Sequence, residues 1–317
     1  MRIRVWLTAA AVALPGAGLL AQGAHLNPIV DLLARKVAVY GLYAPSNPRP
    51  GQAPPPNATP LRSPAELAQQ ALGYGNGDFV FDGSMEGGFD AGIAAFGAFV
   101  RGMAATGALK WTHPLVVKTP EIAPDPALAR ARIAQQLNLG VSGIVFVGVE
   151  SASEVQQGLA MMRLASHGGT RPDDVGNAPA LWGMSEAAYR EKADVWPLNP
   201  RGELVNWTIV ESKAGLAHVR EIAAVPGIGV LFPGAGTLRG VFSSTDATGK
   251  RVVDETAWEA AIQQVLAACK EFRVPCGYPA TLGNLERRIQ QGFSVFVIGW
   301  GEAGMQTIDL GKRITGR

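Results

Sequence analysis

Apolar residues along this chain fall into short bursts separated by longer amphipathic stretches, and the two alternate from the first third of the sequence to its end. The bursts at 36–43, 78–82, 114–118, 143–147, 207–211, 228–233, 274–278 and 293–298 are rich in Val, Ile and Phe, the pattern of strands buried in a parallel sheet. Between them, apolar positions recur at three- and four-residue spacing over 27–35, 90–106, 125–137, 151–164, 255–272 and 283–291, which predicts helices. A further start is marked by Ser63, Pro64 and Glu66, with a cap, a first-turn proline and a carboxylate three residues on. Eight strands separated by helices predict an α/β fold of the (β/α)8 TIM barrel type in one domain over 25–317. A doubly wound open sheet is the alternative, and its dinucleotide-binding version is disfavoured because no Gly-x-Gly-x-x-Gly follows the first strand. Two segments interrupt the alternation, at about 165–204 and 239–254, and are read as inserts; the first carries Trp182 and Trp196 and is expected to pack over one end. The Pro-rich stretch 44–62 is expected to be an exposed loop.

Composition narrows the function. A chain of 317 residues, 47% of them hydrophobic, buries a large core. A formal net charge of +2 with no basic run gives no nucleic-acid surface, so the partner expected is a small molecule. Arg2 and Arg4 precede an apolar run that ends in small residues near Ala21 and Ala24, the pattern of a secretory signal over 1–24. Its removal leaves no stable membrane span and places the protein in the periplasm or outside the cell. Cys269 and Cys276 are read as buried small hydrophobes in preference to a disulfide, because one falls in a helical pattern and the other just before a strand.

Parallel barrels keep their chemistry at the C-terminal ends of the strands and in the loops that follow. That rule selects Glu86, Lys118, Glu150, Glu211 and the loop 233–237. Glu211 follows Trp207-Thr-Ile-Val and should be partly buried, where a carboxylate needs a cation or strong donors. Lys118 ends an apolar run and is placed to meet a substrate carboxylate. Glu86 lies in Gly83-Ser-Met-Glu-Gly-Gly, where backbone can approach a ligand, and Glu150 is read as serving a helix N-terminus. Of the four histidines, His25, His113, His167 and His218, only His167 in the first insert could reach such a site, and no two have metal-ligand spacing.

These residues resemble the class II 2-keto-acid aldolases of the HpcH/HpaI aldolase and citrate lyase superfamily. The likeness runs from about Asn27 to Gly304 and is strongest in Val210-Glu211-Ser-Lys-Ala-Gly-Leu and in Ile222-Ala-Ala-Val-Pro-Gly-Ile-Gly-Val-Leu-Phe. It implies a metal-dependent barrel that breaks a carbon–carbon bond to release an enolate, and assembly into trimers or hexamers. By the resemblance Glu211 is a ligand of Mg²⁺ or Mn²⁺, but the second ligand, an aspartate after strand six, is replaced by Thr237. The family's Asp-x-Glu-His-Gly after strand two falls on Gly83, Met85 and Glu86, and its substrate-binding arginine on Lys118. The resulting expectation is a divergent aldolase-like lyase acting on a small hydroxy- or keto-acid. Glu86 and Lys118 are its catalytic groups. Lys118, Gly234, Ala235, Gly236 and Thr237 bind substrate, and Glu211 is the metal ligand, joined by Glu86 or Thr237. The alternative is a metal-free barrel that binds or converts a carboxylic or aromatic compound, its pocket formed by the inserts with Trp182, Trp196 and Trp207.

Overall fold

A computed structural model describes residues 25–47, 60–105, 107, 109 and 111–317. The secretory signal and most of the Pro-rich loop expected from the sequence lie outside these residues.

Eight parallel strands form the centre of the molecule: β1 Val39–Tyr43, β2 Phe79–Asp82, β3 Leu115–Thr119, β4 Gly143–Phe146, β5 Leu204–Val210, β6 Val230–Pro233, β7 Gly277–Ala280 and β8 Val295–Ile298. Neighbours in sequence pair in register from β1 to β6, β7 pairs with β8, and β8 pairs with β1. The ring closes between β6 and β7 through the bridge Leu231–Cys276, with Leu231 N–H donating to Pro275 O at 2.9 Å. This is the predicted barrel.

Strand alternation decides which side chains face inwards. The interior holds Val39, Phe79, Phe81, Val116, Val145, Val205, Trp207, Ile209, Phe232 and Val297, while the residues between them pack outwards against the helices. Large rings fit this space because their neighbours are small: a Cβ on Gly41 would overlap the Phe79 ring, and one on Gly277 the Phe232 ring. Trp207 stacks on Phe81 and Phe232 with centroids 6.1 and 6.3 Å away, and meets the edge of Phe79 at 5.1 Å.

The N-terminal mouth is plugged. Helix Pro28–Ala34 buries Ile29, Val30, Leu32 and Leu33 in the same cluster as the inward strand residues. Its start is held by Glu203, 2% exposed, whose carboxylate accepts from Leu26 and Asn27 N–H at 3.0 and 2.9 Å. Asp78 ties the last residue down at the same end, accepting from both Arg317 guanidinium nitrogens at 2.6 and 2.8 Å.

The first insert packs at this plugged end. Trp182 donates to Gly140 O at 2.8 Å, ahead of β4, and stacks edgewise on Trp111 and Tyr189. Trp196 lies in a groove with Leu33 and Pro226. The second insert is a hairpin, Ser243–Thr245 with Arg251–Val253. Two expectations need correction, on the stretch after β6 and on the cysteines, and one element was not foreseen. The glycine-rich stretch after β6 is a helix, Ala235–Val241, held in part by Trp258 Nε1 donating to Ala235 O at 2.8 Å. A last helix, Glu302–Ile314, packs against β1 and β8. The cysteines are not separate hydrophobes: Cys269 and Cys276 form a disulfide beside the closing seam. The helix carrying Cys269 ends at Arg273 in a left-handed turn, φ 58°, which returns the chain so that Cys276 lies 5.7 Å away, Cα to Cα. Among the described residues no helix is long and apolar enough to cross a membrane.

Closing so short a loop removes denatured-state entropy worth about 2 to 3 kcal/mol. Replacing Cys269 and Cys276 together with alanine is expected to lower the unfolding free energy in urea by about that much. A double variant as stable as the parent would show that the seam holds without the bond.

Candidate active site

The plug leaves one open end, the C-terminal one, and a cavity of about 230 Å³ lies there. Its walls are apolar and largely aromatic: Tyr43, Phe81, Trp207, Phe232, Pro279 and Val297. Lys118, Glu211, Thr237 and the backbone of Gly234, Ala235 and Gly236 supply its polar groups. A few polar groups on an apolar wall, in a space smaller than the roughly 300 Å³ at which drug-sized pockets begin, suit a small polar ligand.

Glu211 follows β5 on the same face as Trp207 and Ile209. Its carboxylate is 8% exposed, and Oε1 accepts the Gly148 N–H at 2.9 Å. Gly234, after β6, is required beside it, because a Cβ there would collide with the Glu211 side chain. Lys118, the inward residue near the end of β3, is held by Gln136 Nε2 donating to its carbonyl at 2.8 Å. Its Nζ lies 2.7 Å from Glu86 Oε2. Glu86 is not among the lining residues and reaches the cavity through this pair. The loop that carries it is shaped by Asp82, whose Oδ1 accepts from Ser84 N–H and Oγ–H at 2.8 and 2.6 Å. Burial pushes the Asp82 carboxyl above its ordinary range, and the two Ser84 donors oppose that shift.

The structure therefore brings together Glu86, Lys118, Glu211 and the 234–237 segment, all named from the sequence. Glu150 stays apart, accepting from Ser212 Oγ at 2.6 Å. His167 is also elsewhere, bonded to Arg190 O and beside Asp194 in the first insert. Trp182 and Trp196 do not line the cavity, so the pocket expected from the inserts is not formed by them. Trp207 does line it, 1% exposed, and its indole N–H has no partner among the described residues. Tyr43, Phe81 and Phe232 were missed by sequence reasoning, although the two-residue alternation that puts Trp207, Ile209 and Glu211 on one face was the signal that finds them.

The donor set can be tested against the divalent metal that the resemblance implies. Hard cations take several oxygen ligands, and a protein supplies one or two carboxylates to Mg²⁺ and more oxygens to Ca²⁺, water and ligand completing the shell. Among the described residues Glu211 is the only carboxylate lining the cavity, Glu86 is engaged by Lys118, and Thr237 offers a hydroxyl. Among the described residues no group of three or more His, Cys, Asp or Glu gathers anywhere. One carboxylate and one hydroxyl leave most of a cation's shell to water and ligand, so this set does not by itself fit a cation held by the protein.

No protein-family model matches the chain, and no curated protein matches it by sequence. Solved structures match it by fold. An HpcH/HpaI aldolase/citrate lyase family protein from Burkholderia cenocepacia J2315 superposes with a TM-score of 0.64 at 18% identity, over 91% of this chain and 97% of that one. An HpcH/HpaI aldolase from Desulfitobacterium hafniense DCB-2 gives 0.61 at 15% identity, over 90% and 94%. The protein CitE from Mycobacterium tuberculosis, in complex with magnesium and acetate, gives 0.50 at 15% identity, over 90% and 92%.

Restoring the missing acid tests the donor argument. Calorimetric titration with Mn²⁺ is expected to show no saturable uptake by the parent protein and one site in Thr237→Asp. Stoichiometric binding by the parent would contradict it. The chain thus carries the fold of the HpcH/HpaI aldolase and citrate lyase proteins, with one anionic side chain where the resemblance implies two.

Proposed function

We propose that the protein is an aldolase-type carbon–carbon lyase acting on a small hydroxy- or keto-acid. The observation that supports it most is the meeting of Lys118, its partner Glu86 and the buried Glu211 at a small cavity in the open mouth of this fold. Cleaving a bond next to a carbonyl leaves an electron pair on carbon, so the site must hold an anionic acid, remove a hydroxyl proton and stabilise the charge that develops. Lys118 supplies the cation near the substrate carboxylate. Glu86 exchanges protons. The backbone from Gly234 to Thr237 faces the carboxylate or the enolate oxygen. The apolar walls exclude water, which strengthens each of these interactions.

Relatives by fold such as CitE carry magnesium, and a bound divalent ion would add Lewis-acid stabilisation of an enolate. The donor set of this chain does not fit one, so no step is assigned to it. A periplasmic or secreted location draws support from the Cys269–Cys276 disulfide, since such bonds persist outside reducing compartments. Assembly into trimers or hexamers is carried over from the family resemblance alone.

A non-catalytic carboxylate binder is the second reading, favoured by the loss of the family's acidic and histidine positions at Thr237 and Glu86. The two are separated by assaying pyruvate release from a panel of 4-hydroxy-2-keto acids, with Trp207 fluorescence reporting binding. The lyase reading expects Glu86→Gln and Glu211→Gln to lose roughly 10²- to 10⁴-fold in turnover while ligand-dependent quenching persists. Quenching without turnover in the parent would favour the binder.

A further inference from the structure

We propose that Lys118 is a Schiff-base nucleophile, so that this barrel stabilises the broken bond's electron pair as an enamine in place of a metal enolate. The inference rests on the lyase reading above and changes one role in it: Lys118 bonds to the substrate, and the substrate carboxylate is left to the 234–237 backbone.

Three observations carry it. The charge left by bond cleavage needs an electron sink, and the protein ligands for a metal sink do not fit. Among the described residues Lys118 is the only amine lining the cavity, fixed at a strand end by Gln136. Its side chain is 17% exposed, and it has Gly83 opposite, where even an added Cβ would keep 3.5 Å from Lys118 Cδ. Finally, Glu86 Oε2 stands 2.7 Å from Nζ, placed to relay the proton that the ammonium must lose before the amine attacks. A lysine on a flexible stem in an apolar pocket is the residue type suited to this chemistry, and the arginine that the resemblance implies at this position is not.

The steps balance with the groups present. Glu86 takes a proton from the Lys118 ammonium, and the free amine adds to C2 of a 2-keto acid to give a carbinolamine. Glu86 returns the proton to the carbinolamine oxygen, which leaves as water, and an iminium forms. A carboxylate, Glu86 or Glu211, removes the proton of the C4 hydroxyl. The C3–C4 bond breaks, C4 leaves as an aldehyde or ketone, and the bond's electron pair moves into the enamine. Protonation at C3 and addition of the same water equivalent release the keto acid and the amine. Nothing is oxidised or reduced, and no outside reactant is consumed.

The test traps the iminium. Chelator-treated protein is incubated with pyruvate, and separately with 2-oxobutyrate and glyoxylate, in the presence of borohydride, then digested and mapped by mass spectrometry. The proposal expects one adduct per chain on the Lys118 peptide, heavier by the keto acid less one oxygen atom. Lys118→Arg is expected to abolish it, and Glu86→Gln to slow trapping at least about tenfold, with far-UV circular dichroism confirming that both variants fold. No adduct with any of the three acids, or equal labelling of Lys118→Arg at surface lysines such as Lys36 and Lys250, overturns the proposal. Chelator-resistant turnover without an adduct removes the Schiff base and leaves the lyase reading intact. An adduct on Lys118 with no cleavage of any 4-hydroxy-2-keto acid does the reverse.

Discussion

The site depends on how the barrel interior is filled. Trp207, pressed between Phe81 and Phe232 with Phe79 at its edge, forms a layer of rings across the lumen. Burying an aromatic side chain removes roughly 150–250 Å² from water, worth several kcal/mol at about 25 cal/mol per Å². The layer is sterically possible only because Gly41 and Gly277 leave room for rings on the facing strands. Below it the helix Pro28–Ala34 completes the core. Above it no described side chain fills the mouth, and a cavity of about 230 Å³ lies there.

Charged groups set over such a floor interact strongly. Lys118 and Glu86 neutralise one another at 2.7 Å, and Glu211 is held by the Gly148 N–H next to a glycine that admits its carboxylate. The pair and the single acid stand at the ends of neighbouring parts of the ring, on β3 and after β5, which is where a parallel barrel presents groups from different strands to one ligand. Where the family resemblance implies a second acid and an arginine, this chain has Thr237 and Lys118.

Most of the barrel was legible because its signals are periodic. Strand bursts such as 143–147 and the helix 255–272 could be located from spacing alone, and their place at strand ends selected Glu211 and Lys118. What escaped is decided by packing. The segment after β6 is glycine-rich and reads as a loop, yet Leu238 is fully buried and Trp258 caps Ala235, so a helix forms. The cysteine pairing turns on a left-handed residue at Arg273, which carries no glycine signal. The tryptophans of the first insert look like a ligand pocket in one dimension, but Trp182 packs on Gly140 and Tyr189 and Trp196 lies beside Leu33 at the closed end. At the site, residue identity was readable and partnership was not: Glu86 and Lys118 were named separately, and only the fold shows them as a pair.

The central claim is that a small keto acid is held and activated in this mouth by Lys118 and its neighbours. A crystal structure of chelator-treated protein soaked with pyruvate tests it most directly. The account predicts electron density continuous from Lys118 Nζ to C2 of the ligand, with the carboxylate against the 234–237 backbone. Pyruvate bound elsewhere, or held in the mouth with no bond to Lys118, would contradict it.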